Sequence, residues 1–121
     1  EDYLMALEWV NSIGPDNLQK KVIDNFKIID DWINKTDWVD YFLPDEYKEF
    51  RSPINTCLKF KNETIRNNII NELKKENIAF DIKGHKTMPP YVLRIWTGPT
   101  IEINDLKILL KWIELAYHNF T

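Results

Sequence analysis

The sequence predicts an α+β domain with a small three-stranded, essentially antiparallel sheet and helices packed on one face. Three observations predict it. Stretches of helical period occupy both ends and the middle of the chain, whereas the period-2 runs are short and form no alternating βαβαβ series. No repeat period runs through the 121 residues. The length is that of one domain, and 44% apolar residues, with five Trp, five Tyr and six Phe, suffice for one core. Residues 1–121 therefore read as a single unit without a linker.

Each element has its own signal. Residues 2–13 carry Tyr3, Leu7 and Val10 at i, i+4 and i+7. The pattern stops at Gly14-Pro15, a proline suited to the first turn of a new helix. From Asp16 to about Lys35, Leu18, Val22, Phe26, Ile29 and Ile33 recur at helical spacing. "TDWVDYFLPDEYKEFRSP" mixes aromatics, acids and two prolines without a sustained period, so it reads as a connection with a short helical turn, held down by Trp38, Tyr41 and Phe42. "INTCLKF" sets Ile54, Thr56, Leu58 and Phe60 against Asn55, Cys57 and Lys59, the alternation of a strand with one apolar face. Asn62 caps a helix running to about Glu76, with Ile65, Ile69 and Leu73 inward and Asn77 closing it. "IAFDIK" and "YVLRIW" read as two further strands joined by the turn from Gly84 to Pro90. A last helix starts near Asn104 and turns Leu106, Leu109, Leu110, Ile113 and Tyr117 inward.

Composition excludes several functions. The net charge of -3, with 16 Lys and Arg scattered among 19 Asp and Glu, gives no basic stripe for nucleic acid. Apolar runs of a few residues fall far short of the roughly 20 that span a bilayer, so a soluble, cytoplasmic chain without a membrane partner is expected. The lone Cys57 has no partner for a disulfide or a zinc site and reads as a small buried strand residue. The two histidines, His85 and His118, lie far apart without companion carboxylates, so no metal is expected. None of the motifs GxGxxG, GxxxxGK[ST], HExxH or GxSxG occurs. The chain opens without a Met and already in helical period, as a piece of a longer protein would.

The chemistry concentrates in "GHKTMPPYVLRIW", residues 84–96. Alternation puts the Arg94 guanidinium on the strand face opposite Leu93 and Ile95, and a planar fork on a rigid strand matches a carboxylate in two parallel hydrogen bonds. His85 and Lys86, on the preceding turn, add charge for a second, phosphate-like anion. A plainer reading stands beside this one: Arg94 stacks on Trp96 or pairs with Asp81, and His85 and Lys86 are only solvated.

The whole chain resembles the C-terminal small domain of the phosphoserine aminotransferases, a family of class V, fold-type I pyridoxal-phosphate enzymes. The residues that carry the resemblance are "EDYLMALEWVNSIG", "NFKIIDDWINKTDWVDYF", "RSPINTCLKF", "AFDIKGHK", "PPYVLRIWTGPTIEINDL" and "LLKWIELAY", which follow one another in family order from end to end. The resemblance implies a homodimeric parent enzyme that turns glutamate and 3-phosphohydroxypyruvate into 2-oxoglutarate and phosphoserine in serine biosynthesis. It also implies that Arg94 holds the substrate α-carboxylate and that His85 and Lys86 hold the phosphate. Lys86 stands where the family more often has arginine, which keeps the charge and loses the fork. "PPYVLR" is one residue longer than the usual Pro-Pro-Gly-Leu-Arg, which alters how the turn is presented. The Schiff-base lysine and most contacts to pyridoxal 5'-phosphate belong to a larger domain that would precede Glu1. No catalytic residue is therefore expected among these 121, no cofactor is expected bound to them, and the isolated piece is expected to be inactive. Two other readings stay open: another class V aminotransferase, of alanine-glyoxylate or serine-pyruvate type, and a non-catalytic anion-binding module.

Overall fold

Gly14, at φ +86°, breaks the first helical stretch in two, and Pro15 opens the next helix where its missing N–H costs nothing. A computed structural model describes residues 2–79 and 81–120 of the chain. Along it run α1 (Asp2–Ile13), α2 (Pro15–Lys35), β1 (Asp40–Tyr41), a 3₁₀ segment (Asp45–Phe50), β2 (Asn55–Lys59), α3 (Glu63–Lys75), β3 (Val92–Trp96) and α4 (Ile103–Asn119). Among the described residues no helix is long and apolar enough to cross a membrane.

The sheet has the order β1-β2-β3, with both pairings antiparallel. Leu58 lies opposite Leu93 and Thr56 opposite Ile95, so these four share one face. Leu58, Leu93 and Ile95 join one apolar cluster with Ile29 and Ile33 of α2, Ile69 and Leu73 of α3, and Leu106, Leu110, Ile113 and Ala116 of α4. The helices thus cover one face of a three-stranded antiparallel sheet, and the class expected from the sequence holds. Asn25 of α2, 1% exposed, donates to the carbonyls of Gly98 at 3.2 Å and Ile101 at 3.0 Å, which ties the exit of β3 to the helical layer. The α1 helix forms as its spacing predicts, but its apolar stripe stays open: Tyr3, Leu4, Met5, Leu7 and Val10 are all exposed.

Two strand assignments differ from expectation. The described part of 78–83 forms no strand; Phe80 lies outside the described residues. The cause is the end of α3. Asn77, at φ +57°, closes that helix with bonds from its N–H to the Lys74 carbonyl and from the Ile78 N–H to the Leu73 carbonyl, so Ile78 is already committed to the cap. Asp81 then takes φ +53°, which no strand tolerates, and among the described residues of this segment a single backbone bond, Arg94 N–H to the Ile82 carbonyl, reaches β3. The third strand is instead β1, inside the segment expected to be a connection. Two residues are too short to display a period, and β1 is placed by pairing Asp40 with Lys59 and Tyr41 with Leu58.

Candidate anion-binding site

The face of the sheet turned away from the helices carries Asn55 opposite Trp96, Cys57 opposite Arg94, and Lys59 opposite Val92. Arg94 is half-buried there, as the alternation of "VLRIW" requires. The chain has three arginines, and their partners distinguish them. Arg51 donates to the Leu43 carbonyl and to Asp45, and lies 3.8 Å over the Tyr41 ring. Arg66 donates to the carbonyls of Val92 and Lys83 and to Asn67. The Arg94 guanidinium has no hydrogen-bond or ion-pair partner among the described residues, neither Asp81 nor any other. A half-buried planar fork whose donors have no internal partner has the geometry to receive a carboxylate or phosphate. Its charge reaches Cys57: burial pushes that thiol up, and Arg94 pulls it partly back.

Trp96 stands beside this face, 46% exposed, with its indole laid against the backbone of Gly98. A Cβ at Gly98 would lie 2.3 Å from the indole Cζ2, closer than any real contact. Gly98→Ala is therefore expected to swing the ring away while costing the fold about 1–3 kcal/mol, the usual range for overpacking. The indole N–H signal of Trp96 in a nitrogen-15 spectrum should move, and an unmoved signal would mean the ring does not rest there in solution.

His85 and Lys86 are exposed on the turn that follows Gly84, which adopts φ +88°. Nδ1 of His85 accepts from the Thr87 N–H at 3.2 Å and lies 2.7 Å from the Thr87 hydroxyl. An Nδ1 that accepts from a backbone amide puts the proton of the neutral ring on Nε2, which then points a donor outward. The turn lines a groove of about 370 Å³ with Glu63, Arg66, Asn67, Lys83, His85 and Lys86 along it, four of them cationic or able to become so. The structure brings His85 and Lys86 together on this groove and leaves Arg94 outside it, on the sheet. The geometry thus sets two cationic points apart rather than joining them in one place. Arg66 was not singled out from the sequence. Its signal was its place three residues before Ile69 and seven before Leu73, on the buried stripe of α3.

The fold is shared with solved structures. Over 95% of this chain it matches 31% of a phosphoserine aminotransferase from Bacillus circulans subsp. alkalophilus, with a TM-score of 0.81 and 16% identity. Over 93% it matches 24% of the tryptophan decarboxylase of Catharanthus roseus, solved with L-tryptophan, at a TM-score of 0.69 and 15% identity. At such identities the likeness is one of fold alone. No family model matches the chain. Sequence narrows the class: the chain is 36% identical over 121 residues to the phosphoserine aminotransferase of Methanosarcina barkeri and 35% identical over 119 residues to that of Methanosarcina mazei. These alignments take in 98% and 97% of the chain but 32% and 31% of the relatives. The chain is similar over nearly all of its length to these phosphoserine aminotransferases and spans about a third of the length of the curated relatives it matches.

Proposed function

We propose that these 121 residues are the C-terminal small domain of a phosphoserine aminotransferase and that they hold the two anionic ends of its substrate. Arg94 takes the α-carboxylate, and His85 with Lys86 takes the phosphate of phosphoserine or 3-phosphohydroxypyruvate. The observation that carries the reading is the division among the arginines: Arg51 and Arg66 are bound to carbonyls of the chain, and Arg94 is left unpaired among the described residues on an open sheet face. A second cationic point on the neighbouring turn suits a substrate with an anion at each end.

The parent enzyme would use pyridoxal 5'-phosphate, whose conjugated ring supplies the electron sink for moving an amino group from glutamate to the oxo acid. The residues here do not suit it: among the described residues every lysine is exposed except the half-exposed Lys21, so none sits in the desolvated pocket that a cofactor-bearing lysine needs. No step of the chemistry is assigned to this chain, and the isolated piece is inactive on this reading. The parent works as a cytoplasmic homodimer in serine biosynthesis.

The test is the complete reading frame that contains these codons, expressed and examined by visible absorption. A bound-cofactor band that changes with glutamate and with phosphoserine is expected. A band that answers to alanine or serine but not to phosphoserine would move the reading to another class V aminotransferase. The absence of a longer reading frame would leave an anion-binding module.

A further inference from the structure

An arginine 5% exposed inside a helix stripe is costly unless every part of it is used, and Arg66 of α3 is used in a particular way. Its Nε donates to the Val92 carbonyl at 2.8 Å, its Nη2 donates to the Lys83 carbonyl, and its Nη1 donates to Asn67 Oδ1 at 2.7 Å. Lys83 is the last residue before Gly84, and Val92 is the first residue of β3. One planar group therefore grips both ends of the turn at 84–91, which carries His85 and Lys86.

Among the described residues few other bonds fix the distance between those ends. The stem leading in shares, among the described residues, a single backbone bond with β3, from the Arg94 N–H to the Ile82 carbonyl. Inside the turn most bonds are local, Met88 N–H to the His85 carbonyl, Val92 N–H to the Pro89 carbonyl and Thr87 N–H to the His85 ring, and the Tyr91 carbonyl accepts from the Phe60 N–H beside the outgoing stem alone. We propose that Arg66 is the positioning residue of the anion-binding turn, clasping its two stems so that His85 and Lys86 face the groove. A lysine would keep the charge, but only a guanidinium offers rigid, coplanar donors to two carbonyls that approach from different stems. The clasp itself rests on the geometry; its consequence for anion binding rests on the function proposed above.

The test uses the nitrogen-15-labelled 121-residue chain with inorganic phosphate as the probe, in wild type, Arg66→Met, Lys86→Ala and the double variant. In Arg66→Met the amides of Met88, Val92 and Arg94 are expected to exchange at least about tenfold faster relative to the Leu58 amide of the central strand, because local opening is eased while the core stays closed. Phosphate affinity should fall by about tenfold, and the double variant should bind no more than about twofold more weakly than Lys86→Ala alone, since the two changes act through one site. Acceleration spread evenly over the chain, turn amides that keep their wild-type rates, or losses that simply multiply would each overturn the proposal. If the wild-type chain shows no phosphate-dependent shift at His85 and Lys86, the anion reading of the turn fails, and the exchange rates still decide the clasp. Should Arg66→Met not fold, Arg66→Lys takes its place, with faster exchange confined to the turn as the supporting result and wild-type exchange there as the overturning one.

Discussion

Trp38→Ala is expected to remove about 3–5 kcal/mol of folding stability, the range for emptying a large aromatic from a packed site. Trp38 follows the end of α2 and packs against α2, α4 and the residue that follows β2. Its ring stacks on Tyr117 of α4 at 3.9 Å and 5°, meets Trp32 of α2 edge-on at 5.7 Å, and lies over Phe60, just after β2, at 6.3 Å. Aromatic pairs of this kind contribute about 0.5–1.5 kcal/mol each beyond the area they bury. Against a total of about 5–15 kcal/mol for a domain, the loss is a large share. Urea unfolding followed by far-ultraviolet circular dichroism should show the midpoint falling with the slope unchanged. Trp38→Phe, which keeps a ring for Tyr117 to stack on, should cost less than half as much. A loss below about 1 kcal/mol for the alanine variant would mean that the neighbouring rings close over the gap, contrary to the stiffness expected of a packed core.

That stack also marks what was legible in the sequence. The anchoring role of Trp38 and Tyr41 follows from composition, because aromatics in a segment without its own period are retained by tertiary packing. The helices follow from stripes of period 3.6, and β2 and β3 from alternation, because each buries one face against a common core. The segment 78–83 misleads because Ile78, Phe80 and Ile82 alternate with Ala79 and Asp81 as a strand would, whereas the backbone obeys the left-handed cap at Asn77 and the left-handed Asp81. Period reports which side chains prefer burial; it does not report a backbone already committed to closing a helix. Within the site, the outward direction of Arg94 and the turn that carries His85 and Lys86 are local properties and were readable. The grip of Arg66 on Lys83 and Val92 joins residues 17 and 26 positions away. Helical spacing places Arg66 on the buried stripe, yet only the folded chain says which carbonyls it meets.

On the function proposed above, Arg94→Ala, made in the complete reading frame, is expected to lower kcat/KM for phosphoserine by roughly 10²–10³-fold. Removing one partner from a buried, hydrogen-bonded charge pair costs about 2–5 kcal/mol, and each 1.36 kcal/mol is tenfold in rate. The stability of the same variant should change by less than about 0.5 kcal/mol. A surface substitution that breaks no internal bond has little to lose, and the Arg94 guanidinium makes none among the described residues. Its backbone N–H, which bonds the Ile82 carbonyl, is untouched by the change. This pairing of a large kinetic effect with a small thermodynamic one separates a ligand-holding arginine from a structural one. Arg94→Lys should recover part of the loss, since the charge returns without the fork. If Arg94→Ala unfolds as readily as a core variant while kcat/KM holds, then the guanidinium serves the sheet and not the substrate. The carboxylate would then have to be held by residues outside these 121, and the open face of β3 would need another occupant.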